Sequence, residues 1–179
     1  MPNHELITEP SMPPELDAEI RRLLCRCCPN DTGVFSRTRY WHGSRPEYSV
    51  VHRDEGGMTA HVGIVVRDVL VDGHEVRIAG IQNLAVAPDV RGKGLASELM
   101  RAAMREAQTR GIPFGLLFCL PSLDPFYARL GWRRIEAEVT MLDETGRRVP
   151  IPGKNIAMVD ELDRTPFPDG PMFLNGADW

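Results

Sequence analysis

The stretch that most constrains this chain is IQNLAVAPDVRGKGLASELMRAAMREAQTR, running from Ile81 to Arg110. Apolar and β-branched residues from Ile81 to Val86 suit a largely buried strand. Pro88 cannot donate to a ladder and ends it. Gly92 and Gly94 follow, and from Leu95 the apolar spacing becomes helical. Leu95, Leu99, Ala102, Ala103 and Ala107 share one face, while Glu98, Arg101, Arg105 and Gln108 look outward. Glu106 and Arg110 form a favourably oriented i,i+4 pair, and Gly111 supplies the stop. The expectation is a strand, a glycine turn and a helix.

The turn carries a chemical signal. Arg91 and Lys93 stand where the helix dipole already contributes positive charge and acids would be preferred. Two cations there make sense beside a bound anion, because glycines let a phosphate approach the free N–H groups of a helix N-terminus. The alternative is a solvated turn. Gly94 is followed by Leu95, so the G-x-x-x-x-G-K-[ST] loop of nucleotide hydrolases is absent. A G-x-G-x-x-G motif with its downstream acid is absent as well.

Arg91-x-x-Gly94-x-Ala96 matches the R/Q-x-x-G-x-G/A signature of the GNAT N-acetyltransferase superfamily. Leu84-Ala-Val-Ala-Pro-Asp extends the match upstream, and Phe126-Tyr127-Ala-Arg-Leu-Gly-Trp132 resembles the superfamily's second landmark. On these motifs the chain is identified as a GNAT member. The resemblance implies an α/β (α+β) fold, with a mixed, mostly antiparallel central sheet flanked by helices. It also implies acetyl-CoA as co-substrate. Arg91, Gly92, Lys93, Gly94, Leu95 and Ala96 would hold the pyrophosphate, and Leu84, Ala85 and Val86 would pair with the pantetheine arm. Tyr127 would lie beside the cofactor sulfur as general acid, with Phe126 in the core.

Length and composition fit that reading. A chain of 179 residues suits one domain, and 42% hydrophobic with 26% charged residues suits a globular one. No run of about 18 apolar residues exists and MPNHELITEP lacks signal-peptide character, so no membrane is expected and the cytoplasm is. Cys25, Cys27 and Cys28 crowd one helix, but no second Cys or His cluster completes a metal site, so four reduced thiols and no metal are expected. The net charge is −4, and from Asp160 onward there are five acids and one base, which leaves the remainder balanced. With no basic stripe, nucleic acid is not an expected partner. A homodimer is the candidate assembly.

Along the chain, Pro13 to Cys28 has the pattern of an amphipathic helix. DTGVFSRTRYWHGSRP follows without a clear period; it either packs over the core or lines a cleft. The region after the first GNAT helix commonly shapes the acceptor site, which makes Trp41 a substrate-binding candidate by resemblance. Tyr48 to Arg53, Thr59 to Leu70 and Val76 to Val86 form a predicted antiparallel meander, joined at Glu55-Gly56-Gly57 and Asp72-Gly73. Phe114 to Leu120 is expected to run parallel to its neighbour after the long helix. Ser122 is the candidate cap of a short helix holding Tyr127, Trp132 to Leu142 one strand, Ala157 to Val159 the last, and the tail irregular.

Acetyl transfer also needs a base. AHVGI at Ala60–Ile64, Arg67, and an acid with a final Trp resemble the aminoglycoside 2′-N-acetyltransferases. Gln82 aligns there with a glutamate thought to be the base, and Gln cannot take the proton. The resemblance leaves the α-carboxylate of Trp179 as candidate base, with Asp178 and Trp179 holding the amine. Ser44-Arg-Pro-Glu-Tyr48, Ala60-His61 and Ile112-Pro-Phe-Gly115 resemble the nodulation N-acyltransferases, which acylate an amino sugar. His61 is either a buried, hydrogen-bonded histidine or a catalytic one. The expected function is acetyl transfer from acetyl-CoA to a primary amine of a small cationic molecule, an amino sugar or aminoglycoside. The alternatives are a longer-chain N-acyltransferase of the nodulation type and a non-catalytic acyl-CoA binder.

Overall fold

The computed structural model describes residues 4–179. Strand β1 (His4–Thr8) leads to α1 (Pro14–Cys27), a one-turn 3-10 helix and the short α2 (Thr32–Phe35). Then come β2 (Tyr48–Asp54), β3 (Gly57–Val71) and β4 (His74–Val86), the antiparallel meander that the turn residues predict. Asp72 and Gly73 both take positive φ, 49° and 79°, as a type I′ hairpin requires. Beyond β4 lie α3 (Leu95–Thr109), β5 (Phe114–Cys119), α4 (Asp124–Ala128), β6 (Arg133–Ile135), β7 (Val139–Leu142), β8 (Arg148–Pro150), β9 (Ile156–Glu161) and β10 (Met172–Phe173).

These strands form one mixed sheet in the order β6-β9-β5-β4-β3-β10-β7-β8. The other edge of β3 is shared: β2, carrying β1, covers its first half and β10 its far end. Most pairings are antiparallel; β4–β5 and β10–β7 are parallel. Only residues 136–138 separate β6 from β7, which stand near opposite ends of the strand order. The four steps from Ile135 to Val139 span at most about 14 Å, so the sheet must curl to bring its ends together.

Several expectations are corrected here. The predicted strand Trp132–Leu142 is two strands, because the chain leaves β9 and crosses to β10 in mid-run. Ser122 caps nothing; Leu123 precedes α4 and makes no side-chain cap bond. The aperiodic stretch after α1 contains α2, and the tail contributes β10. β1 has no clear strand pattern, since three of the five residues of HELIT are polar; the open edge of β2 supplies its ladder.

Helix α3 buries Leu99, Met100, Ala102, Ala103, Met104 and Ala107 against one face of the sheet. It ends as its sequence requires, with Gly111 at φ 73° and Ile112 N–H donating to Ala107 O. Helix α1 packs against Val51, Ala85 and Ala87, and the tail residues Phe167, Met172, Leu174 and Trp179 pack with Val65, Ile78 and Leu116.

His61 belongs to this framework. It is fully buried, with Nδ1 3.0 Å from Asn83 O and Nε2 3.3 Å from Ser49 Oγ. Burial pushes its pKa down to about 4. The folded protein therefore favours the neutral ring, and the unfolded chain takes up the proton first, near its ordinary value of about 6.5. The stability held by His61 is complete above that pH and lost as pH falls towards 4, on the order of 3 kcal/mol in all. Urea unfolding from pH 7 to 4 is expected to show this limb, and His61→Gln, whatever its absolute stability, to lack it. Parallel profiles for the two proteins would contradict it.

Candidate active site

Strands β4 and β5 stay together for three residue pairs only, Ile78–Phe114 to Gly80–Leu116. Beyond Gly80 they diverge, and the edge of β4 facing β5 has no strand partner among the described residues. A cleft of about 500 Å³ opens in the gap, lined among others by Trp41, Gln82, Leu84, Tyr127, Asp178 and Trp179. Six residues singled out from sequence thus meet in one place.

The divergence has a local cause. Opposite Val62 of β3, β4 carries an extra residue, Asn83 or Leu84, between the pairs His61–Ala85 and Gly63–Gln82. Asn83 sits at φ 53°, a left-handed conformation that asparagine tolerates better than most. Such a bulge bends its strand and re-aims side chains. Gln82 and Asn83 then clasp the loop after α2. Gln82 Oε1 accepts from Trp41 N–H at 3.3 Å, and its Nε2 donates to Ser44 O at 2.7 Å. Asn83 Oδ1 accepts from the Trp41 indole at 2.9 Å, and its Nδ2 donates to Arg39 O at 2.9 Å. Arg39, almost wholly buried, ion-pairs with Glu9 and Asp17. The loop is therefore rigidly seated, and Gln82 acts on it through its amide.

The lining comes from both faces of the sheet. Leu84, Leu117, Cys119 and Tyr127 pack with the α3 cluster, Trp41 with the α1 cluster and Trp179 with the tail cluster. The cleft between the strands is thus bordered by side chains from all three core clusters. Tyr127 is buried, edge-on to Phe126 and Trp132 at 4.9 and 6.2 Å between centroids. Its hydroxyl bonds to no described residue. Burial, with the Cys119 thiol beside it, raises its pKa well above the usual tyrosine value, so the phenol keeps its proton. Phe126 is partly buried against the same core. On the other face the Trp179 ring lies against Gly80 so closely that a Cβ there would come within 2.4 Å of it.

The glycine turn lies outside the cleft lining, at the end of β4 to which Leu84, Ala85 and Val86 lead. Gly94, at φ 84°, precedes α3, whose first bond runs from Glu98 N–H to Gly94 O. The N–H groups of Leu95, Ala96 and Ser97 have no helical partner. A Cβ at Gly92 or Gly94 would meet nothing within 4 Å. Open space over unpaired donors is what a pyrophosphate requires, and these residues fit one. Arg91 turns back, its Nε donating to Val86 O at 3.0 Å, and Lys93 is exposed.

Comparison with known proteins decides the family. The family model for nodulation protein A (NodA) matches residues 7–158. The chain belongs to the nodulation protein A family. It is 34% identical to nodulation protein A of Mesorhizobium plurifarium over 97 residues, covering 54% of this chain and 49% of the relative. For the Bradyrhizobium elkanii protein the figures are 36% over 100 residues, 56% and 47%. The chain spans about half the length of the curated relatives it matches. Among solved structures, Escherichia coli ElaA superposes with a TM-score of 0.63 at 15% identity, over 88% of this chain and 98% of that one. A GNAT family acetyltransferase from Brucella melitensis in complex with acetyl-CoA gives 0.58 at 16%, over 94% of each. An aminoglycoside 6′-N-acetyltransferase with coenzyme A gives 0.60 at 15%, over 92% and 99%. These likenesses establish the GNAT fold for this nodulation protein A relative.

The cleft also contains residues that carry little or no signal in the sequence. Asn83 was legible as a poor strand former inside an apolar run. His42, Phe118, Cys119 and Lys154 had no local signal for a site; the cleft assembles them from distant segments. All four cysteines are free thiols, and no metal-binding cluster of His, Cys, Asp and Glu exists among the described residues. No described helix is long and apolar enough to cross a membrane.

Proposed function

We propose that the chain is an acyl-CoA N-acyltransferase that moves an acyl group, acetyl in the simplest case, to a primary amine of a small cationic molecule. An amino sugar is the leading acceptor class, since both sequence resemblances share it. Aminoglycosides stay in the acceptor set on the motif resemblance. One observation carries the reading: a cleft between the diverging strands that is lined by both the protonated Tyr127 phenol and the Asp178 side chain.

The acyl-CoA supplies an activated thioester. The N–H groups at the start of α3 would hold its pyrophosphate, and the free edge of Leu84 to Val86 would hold the pantetheine arm and polarise the carbonyl. Tyr127 would give its proton to the departing sulfur. Asp178 and the indole of Trp179 would receive the ammonium on the opposite face, above the loop that carries Trp41. Gln82 positions that loop and takes no proton.

A longer acyl chain is the second reading. Leu120 and Leu123, 48% and 43% exposed, lie on the rim of the cleft near Tyr127 and would give an alkyl chain an apolar track. Thiol release from acetyl-, octanoyl- and palmitoyl-CoA, each with glucosamine, kanamycin and spermidine, tests both. Release that depends on the amine is the expected result, and the preferred donor decides chain length. Binding of every donor with no release would make the protein a binder.

A further inference from the structure

His42 and Asp178 face each other at the mouth of the cleft, with Nδ1 2.5 Å from Oδ1. A carboxylate at that distance accepts from Nδ1–H, and in the neutral ring that leaves the lone pair on Nε2. Nε2 bonds to no described residue, and the imidazole is about half exposed, facing an open cavity. Both partners are held. His42 stands at φ 44° with Gly43 at φ 75°, a tight left-handed turn directly after Trp41, which Gln82 and Asn83 anchor. On the tail, Ser44 Oγ donates to Asp178 O at 2.8 Å, and Arg67 donates to Ala177 O at 2.7 Å and to Ser44 Oγ at 3.2 Å. The two residues also line a second cavity of about 450 Å³ bounded by Met141, Leu142, Asp143 and Glu144. The two cavities meet at the dyad, and a bulky acceptor lying in the second would present its amine there.

We infer that His42 is the general base of the transfer and that Asp178 is its positioning residue. This rests on the acyltransferase reading. His42 Nε2 takes a proton from the acceptor nitrogen as the N–C bond forms and the C–S bond breaks, while Tyr127 supplies the proton that ends on sulfur. An ammonium loses two protons in becoming an amide; one replaces that of the phenol and the other leaves to solvent. The dyad thereby fills the base role that Gln82 cannot, in place of the Trp179 α-carboxylate expected from the resemblance. It also differs from a mere latch for the tail, because a latch needs the imidazole only as a donor to Asp178.

The test uses acetyl-CoA with whichever of glucosamine, kanamycin or spermidine the wild-type protein accepts. His42→Asn and His42→Gly both tolerate the left-handed backbone. Each is expected to lower kcat/KM by about 10²-fold or more, the usual worth of a general base, with unchanged acetyl-CoA affinity. Added imidazole is expected to restore a good part of the rate in His42→Gly only. In the intact protein, ¹⁵N shifts of the His42 ring are expected to report Nδ1–H, moving to Nε2–H in Asp178→Asn. A wild type that acylates no amine removes the enzyme reading and this inference together. Turnover of His42→Asn within twofold of wild type, or a loss in His42→Gly that imidazole leaves untouched, removes the dyad alone.

Discussion

Replacing Gly94 with glutamate is expected to weaken acetyl-CoA binding by roughly 10³-fold while the domain stays folded. The expectation follows from the proposed phosphate role of the turn. Each hydrogen bond from a backbone donor to a charged group is worth about 1.5–3 kcal/mol, and a carboxylate over the α3 N-terminus would displace at least two such bonds and repel the pyrophosphate. The position itself is permissive in space, since a Cβ there touches nothing, but φ is 84°. Any side chain therefore costs about 1–2 kcal/mol of backbone strain. Gly94→Ala carries that strain without the charge and separates the two effects. Titration calorimetry with acetyl-CoA, alongside a thermal melt, is the measurement. Unchanged affinity in the glutamate variant would show that the pyrophosphate lies elsewhere.

Tyr127→Phe is expected to lower turnover by about 10²-fold or more and to leave acetyl-CoA affinity nearly intact. Phenylalanine keeps the ring contacts with Phe126 and Trp132, so the core has little reason to move. What disappears is a proton donor that burial keeps protonated and that no described residue engages by a hydrogen bond. A steady-state rate within a factor of two of wild type would take Tyr127 out of the chemistry. An equal fall in affinity and rate would instead assign it to binding.

The strand, glycine turn and α3 were legible because each rests on local chemistry: a Pro that ends a ladder, glycines at positive φ, and an apolar face at helical spacing. Tyr127 and Leu84 were legible through motifs that travel together. The split between β6 and β7 was hidden, since nothing in residues 132–142 states that the two halves have partners at opposite ends of the sheet. Strand β10, two residues long, exists only because β3 and β7 leave a slot between them. His42 was hidden for the same kind of reason. Its significance comes from Asp178, 136 positions away, and from a left-handed turn that GS after WH only hints at.

The bulge at Asn83 ties two things that could have been independent. The same residue turns β4 away from its neighbour and, through its side-chain amide, fastens Arg39 and Trp41. On the proposed function, an adjustment of β4 as a donor settles along its free edge would be passed through these bonds to the loop that carries Trp41. Such linkage would be reciprocal: whatever factor a donor there applied to acceptor affinity, the acceptor would return to the donor.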